Sequence, residues 1–262
     1  MGVITTNRGS IDVVEQGGGP RTPILFLHGV GSDNRVWAPQ LHHFGQSRRV
    51  IALSYPGYGK SAFVPDASRD DYAAAVIAAM DALDIERAHV CGLSLGGVIG
   101  IALHAAAPHR VRSLILADTF AVHPDGQAIF DRSVEASRTI GMAALAEARA
   151  SALLGKAAGP DLHRAVIATM SAIDPAAYRL GARAVWLADQ RERAARIAVP
   201  TLVLVGEEDA VTPPTLSEQL AALTPGAILE RITDAGHLAN IEQPHAFNAA
   251  IDRFLASIEG AP

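Results

Sequence analysis

Short β-branched apolar runs alternate along this chain with longer Ala-rich stretches of helical periodicity, the pattern of an α/β sheet protein. Ile11–Glu15 and Ile24–Leu27 read as strands on either side of the turn Gly17-Gly18-Gly19-Pro20, so the chain is expected to open with antiparallel pairing. Val50–Leu53 is the next strand, closed by Tyr55-Pro56-Gly57-Tyr58-Gly59. Asp70–Leu83 places Tyr72, Val76, Met80 and Leu83 at helical spacing behind acidic residues, which favour a helix start. Ala88–Leu93 is a strand running directly into the helix Leu95–Ala107, which stops at Pro108. Val111–Ala117 is another strand.

The alternation then breaks. From about Thr119 to Arg196 the pattern is helical throughout, punctuated by Gly141, Gly155, Gly159-Pro160 and Pro175. Strands resume at Thr201–Val205 and Ile228–Ile232, separated by a helix near Pro214–Leu223 and followed by a closing helix, Pro244–Ile258. A helical block of roughly 75 residues is too long to be a loop of a compact domain. The expected division is therefore a core of residues 1–118 and 197–262, with a helical cap, or lid, of residues 119–196.

Composition narrows the class. A chain of 262 residues with 49% hydrophobic and 19% charged residues has enough apolar surface for one large folded core. Its 22 Lys and Arg against 27 Asp and Glu give a net charge of −5, with no basic run to attract nucleic acid or an anionic membrane. The single cysteine, Cys91, excludes an intrachain disulfide framework and a Cys-rich zinc site. Its place in an apolar strand predicts an inert core thiol. No stretch has the character of a secretory signal or approaches the ~20 apolar residues of a membrane span, so a cytoplasmic location is expected.

The strongest chemical signal is Gly92-Leu93-Ser94-Leu95-Gly96, a G-x-S-x-G at a strand-to-helix junction. A turn sharp enough to lift the Ser94 hydroxyl clear of both elements leaves no room for side chains two residues away on either side. It also frees the Leu95 amide, at the helix N-terminus, to face a developing oxyanion. The general base is expected to be His237, which among ten histidines stands in the loop after the last strand, on the same sheet edge as Ser94. For the carboxylate that orients it, Asp209 is favoured within Gly206-Glu207-Glu208-Asp209, with Glu207 and Glu208 read as exposed loop charges. Asp118, at the end of an earlier strand, is a rival. The loop His28-Gly29-Val30-Gly31 is expected to supply a second oxyanion donor, the Val30 amide, with His28 holding the loop.

These motifs, with Tyr55-Pro56-Gly57-Tyr58-Gly59-Lys60-Ser61, Val205-Gly206-Glu207-Glu208-Asp209 and Asp234-Ala235-Gly236-His237, resemble the α/β-hydrolases along essentially the whole chain. Within that superfamily the chain is most similar to the 3-oxoadipate enol-lactone hydrolase group of bacterial esterases and lactonases. The match rests on Gly92–Gly97, Gly141-Met142-Ala143-Ala144, Ile173–Tyr178, Pro200–Pro214 and Gly236–Pro244. The resemblance implies about eight mostly parallel strands under a four-helix cap. It also implies hydrolysis of a carboxylic ester or lactone by a serine nucleophile, with no metal or cofactor and a small molecule as substrate. Enol-lactonase proper, a C–C hydrolase, a perhydrolase and a ligand receptor with residual hydrolysis are alternatives on the same scaffold. Lids of the enol-lactonase group offer an Arg-Trp pair after the Gly-Met motif. Here that position falls at Ala152-Leu153, so small neutral substrates are expected. Arg138 and Trp186 are the candidate substrate contacts, with Arg149 a second candidate. The pattern leaves the oligomeric state open.

Overall fold

The computed structural model describes residues 2–260; Met1 and residues 261–262, at the two ends of the expected core, lie outside it. Among the described residues eight strands form one sheet: β1 (Gly2–Thr6), β2 (Gly9–Gln16), β3 (Ile24–Leu27), β4 (Val50–Leu53), β5 (Ala88–Leu93), β6 (Val111–Ala117), β7 (Thr201–Gly206) and β8 (Ile228–Ile232). Their spatial order is β1-β2-β4-β3-β5-β6-β7-β8. The pairs β1/β2 and β2/β4 are antiparallel, and all the others are parallel.

The opening strands depart from the expected pairing. β2 and β3 flank the Gly17–Gly19 turn but do not pair with each other, because β4 lies between them. The reason is visible in their composition. Every residue of β3 is apolar and buried, which suits an interior parallel strand covered on both faces, whereas β2 alternates and is only half buried. The run Ile24–Leu27 therefore takes the centre, between β4 and β5, and β2 is left toward the edge.

Helices cover the sheet: α1 (Ala38–Phe44), α2 (Arg69–Ala82), α3 (Leu95–Ala106), α9 (Pro214–Leu223), α10 (Ala239–Glu242) and α11 (Pro244–Glu259). Between β6 and β7 the chain forms α4 (Gly126–Thr139), α5 (Gly141–Leu153), α6 (Pro160–Ser171), α7 (Pro175–Trp186) and the short α8 (Arg191–Ala194). Their starts follow local rules. Ser68 and Asp71 form a reciprocal capping box on α2, and Asp174 accepts the first amides of α7 ahead of Pro175. α3 is buried from Leu95 through His104, so its apolar sequence runs all round the helix instead of forming one stripe. Among the described residues, no helix is long and apolar enough to cross a membrane.

The closing helix is tied to the sheet by polar contacts with the buried Arg48 and His89. Glu259 on α11 receives two hydrogen bonds from the Arg48 guanidinium, both 2.8 Å, and a third from His89 Nε2 at 2.8 Å. The other imidazole nitrogen, Nδ1, accepts from Ser113 Oγ at 2.7 Å, so His89 is fully satisfied while neutral. Burial lowers its pKa to about 4. In the unfolded chain His89 binds a proton below its ordinary value of 6.5, whereas in the folded chain it does so only near 4. Stability carried by this group is therefore complete above pH 6.5 and is lost as the pH falls from 6.5 to 4. Urea unfolding across that window should show the decline, and His89→Gln should flatten part of it. An unchanged slope in the variant would contradict this account.

Candidate active site

The β5–α3 junction is built by close backbone approach. A Cβ on Gly92 would lie 2.2 Å from the Gly96 carbonyl oxygen, and one on Gly96 would lie 2.0 Å from the Leu27 carbonyl oxygen. Between these glycines Ser94 adopts φ 55°, ψ −113°, outside the regions an L-residue ordinarily occupies. The surroundings hold it there. Its N–H donates to the Ala117 carbonyl at 2.9 Å, and its own carbonyl accepts from Thr119 Oγ1 at 2.8 Å and from the Gly97 amide at 2.9 Å. Leu95 is the first residue of α3, where helical geometry leaves the amide without an intrahelical partner.

The loop after β3 lies against this turn, with Gly29 close enough that its Cβ would stand 3.4 Å from Ser94 Cβ. His28 braces it. Its Nδ1 donates to the Gly29 carbonyl at 2.8 Å, and its Nε2 accepts the Tyr55 amide at 3.2 Å, an arrangement only the neutral ring can make. Burial lowers its pKa to about 4, in keeping with that state. Val30, the next candidate donor, is buried and lines the same cavity as Ser94.

Asp209 and His237 come together across the ends of β7 and β8. His237 Nδ1 donates to Asp209 Oδ2 at 2.8 Å, with both residues buried. Asp209 Oδ1 accepts the amides of Val211 and Thr212, and Oδ2 accepts the Thr212 hydroxyl. Burial alone would push this carboxyl up. The neighbouring imidazole and the bonds from His237 and Thr212 outweigh it, holding Asp209 below the usual carboxylate value. With Nδ1 donating, Nε2 carries the lone pair.

The rival Asp118 is wholly buried at the end of β6 and does not reach His237. Its Oδ1 accepts the Gly206 amide at 2.8 Å, while Oδ2 has no hydrogen-bond partner among the described residues. Burial, and then repulsion from Asp209, push its pKa well above the usual carboxylate value. Glu207 points to solvent, and Glu208 is half exposed.

Ser94 and His237 line one cavity of about 410 Å³, closed on its other side by residues of α5, α6 and α7, among them Leu153, Val166, Met170 and Trp186. Trp186 lines this cavity and stacks on Phe120. Arg138 does not. It is exposed and pairs with Glu135 one helical turn away, because its position on α4 faces outward. Arg149, on α5, does line the cavity. Trp37 packs into the core against Phe26 and Phe247. Cys91 is buried, and burial pushes its thiol pKa well up, as befits an inert core residue. Thr212 was not singled out from the sequence, although Asp209-x-x-Thr212 is the spacing at which an Asp side chain caps its own turn.

Comparison with known proteins follows the same outline. The family model for the alpha/beta hydrolase fold matches residues 22–244. The chain is 30% identical to 3-oxoadipate enol-lactonase 1 of Acinetobacter baylyi over 260 residues, 98% of this chain and 97% of that one. An enol-lactonase from Burkholderia xenovorans LB400 superposes with a TM-score of 0.91 at 29% identity, over 97% of this chain and 100% of the other. A thermophilic esterase from Thermogutta terrifontis, in a malate-bound structure, gives 0.90 at 27% identity over 98% of both chains.

The glycine contacts predict a reversal of ordinary helix preference. In an exposed helix, Gly96→Ala would stabilise by about 1 kcal/mol. Here the added methyl meets the Leu27 backbone, so the variant should lose at least about 1–3 kcal/mol in urea unfolding. A variant as stable as the native chain would show that the close crossing does not constrain the turn.

Proposed function

The chain belongs to the alpha/beta hydrolase fold family, and from that premise we propose that it is a serine hydrolase of carboxylic esters or lactones. The observation that carries the reading is the 2.8 Å bond between His237 Nδ1 and Asp209 Oδ2. It leaves an imidazole lone pair in the cavity where the strained turn presents Ser94. The enol-lactonase and esterase names of the relatives support an ester or lactone carbonyl as the target.

In this reading Ser94 Oγ attacks the carbonyl carbon as His237 Nε2 takes its proton, and Asp209 stabilises the imidazolium. The amides of Val30 and Leu95 hold the oxyanion of the tetrahedral intermediate. Collapse breaks the bond to the alkoxide, which His237 protonates, and leaves an ester between Ser94 and the acyl group. Water, deprotonated by the same imidazole, repeats the attack and releases the acid and the free hydroxyl. With a lactone, alcohol and acid leave as one molecule. Residues 119–196 act as a cap over the core of 1–118 and 197–262, keeping bulk water from the acyl-enzyme.

Ser94→Ala should fold normally and retain no more than about a thousandth of native kcat on an activated ester. Asp209→Asn should cost about 10³- to 10⁴-fold in kcat, because the imidazole loses its orienting partner. Asp118→Asn should cost far less, since asparagine keeps the acceptor for the Gly206 amide and His237 is bonded to Asp209 instead. The reverse ranking, measured on the purified variants, would move the orienting role to Asp118.

The substrate is a small, mainly apolar ester or lactone. A carboxylate entering this cavity would leave water for walls that are largely aliphatic, at a cost of several kcal/mol unless paired. Of the two guanidiniums on the wall, Arg35 is already engaged by Asp33 through both oxygens, which leaves Arg149. A neutral lactone should therefore show the higher kcat/KM when compared with its carboxylate-bearing analogue. A preference for the charged analogue, lost in Arg149→Ala, would overturn this choice.

A further inference from the structure

Three segments cross behind His237, and all three cross at glycine. A Cβ on Gly206, at the end of β7, would meet the Gly236 carbonyl oxygen at 2.1 Å. One on Gly236 would meet the Gly155 amide nitrogen at 2.5 Å. The turn joining α5 to α6 is thereby pressed onto the loop that carries His237, and that loop onto the turn that leads to Asp209.

Two carboxylates bridge the crossing: Glu208, after β7, accepts only the Lys156 amide of the α5–α6 turn, at 2.7 Å, whereas Glu242 joins that turn to the base loop. Glu242 Oε1 accepts the amides on both sides of the base, Gly236 at 3.0 Å and Leu238 at 3.1 Å. Its Oε2 accepts the Gly155 amide at 2.6 Å. The amide of His237 itself donates to the Leu153 carbonyl, at the end of α5, at 3.0 Å. Three consecutive amides of the base loop are thus satisfied by Glu242 and by the end of α5. Capping of the short helix α10 would account for the Leu238 bond alone. The bonds from Gly236 and from Gly155, 87 residues away, serve no helix end. Glu242 is not among the residues that line the cavity.

We propose that Glu242 is a positioning residue for His237, fixing the base by clamping the 236–238 backbone to the α5–α6 turn. The proposal rests on the reading of His237 as general base. The carboxylate has acceptors enough for all three amides, and no neutral side chain of the same length does. Glutamine offers one oxygen and turns an NH2 toward an amide donor, so it can hold the base loop or the α5–α6 turn but not both. A base displaced by about 1 Å loses on the order of 10²-fold in rate while substrate binding, made by other residues, is spared.

The test compares native protein, Glu242→Gln and Gly155→Ala on one activated ester, with hydrogen exchange measured on peptides covering residues 153–158 and 234–243. Glu242→Gln is expected to unfold cooperatively, to exchange faster in both peptides, and to lose about 10- to 100-fold in kcat with KM within about threefold of native. Gly155→Ala keeps the Glu242 side chain but forces a methyl to within 2.9 Å of the Gly236 amide nitrogen and 3.1 Å of Glu242 Oε2, loosening the clamp, and should show the same split to a smaller degree. If Glu242→Gln does not fold, Gly155→Ala decides alone. Native kcat in the folded variants, or a loss carried by KM, overturns the proposal. A native chain without turnover removes the hydrolase reading and this one with it. Native turnover with an equally active Glu242→Gln removes this one only.

Discussion

The crossing of β5 and α3 sets the position of everything else in the site. Three backbones, those of Leu27, Gly92 and Gly96, meet at separations that admit no side chain. The chain can turn from strand to helix there only by placing Ser94 at positive φ. Such a conformation costs of the order of 1–3 kcal/mol and persists only where its surroundings over-determine it. Here the Ala117 carbonyl, the Thr119 hydroxyl and the first turn of α3 do so. The same approach brings the loop after β3 against Ser94, with the neutral, doubly bonded His28 fixing that loop from behind. The strain is thus held by a core formed from five neighbouring buried strands, β4, β3, β5, β6 and β7.

Around this turn, environment divides two buried carboxyls that sit at the ends of adjacent strands. Asp209 takes hydrogen bonds from two amides, a hydroxyl and an imidazole, enough to offset the desolvation of a charge. Asp118 accepts the Gly206 amide and faces Asp209 across a buried gap, and burial and that repulsion push its pKa well up. Asp209 is thereby the carboxylate bonded to the His237 ring, while Glu242 meets only the backbone around it.

Much of this was legible in the sequence because it depends on local constraints. The glycines flanking Ser94, the unbroken apolar run of β3 and the absence of strand patterning between 119 and 196 each state a steric or burial requirement within a few residues. Asp209 and His237 could be chosen because each follows a strand whose carboxyl end faces Ser94, and the structure brings them into contact. What stayed hidden depends on relations between distant segments. The pairing of β2 with β4 in place of β3 follows from competition for the buried centre of the sheet, which no local pattern reports. Arg138 and Arg149 lie on successive helices with similar neighbours, and only the packing of α4 and α5 decides which faces the cavity. Glu242 carries no signal of its own, since its partners are backbone amides, one of them 87 residues away.

The account stands on Ser94 being a nucleophile that the fold activates. Incubation with a serine-directed phosphonate ester, followed by intact-mass analysis and peptide mapping, examines that claim without knowledge of the natural substrate. The prediction is one adduct per chain, located on Ser94, accumulating in step with loss of ester hydrolysis. An adduct on another residue, or full hydrolytic activity in protein that carries the Ser94 adduct, would contradict it.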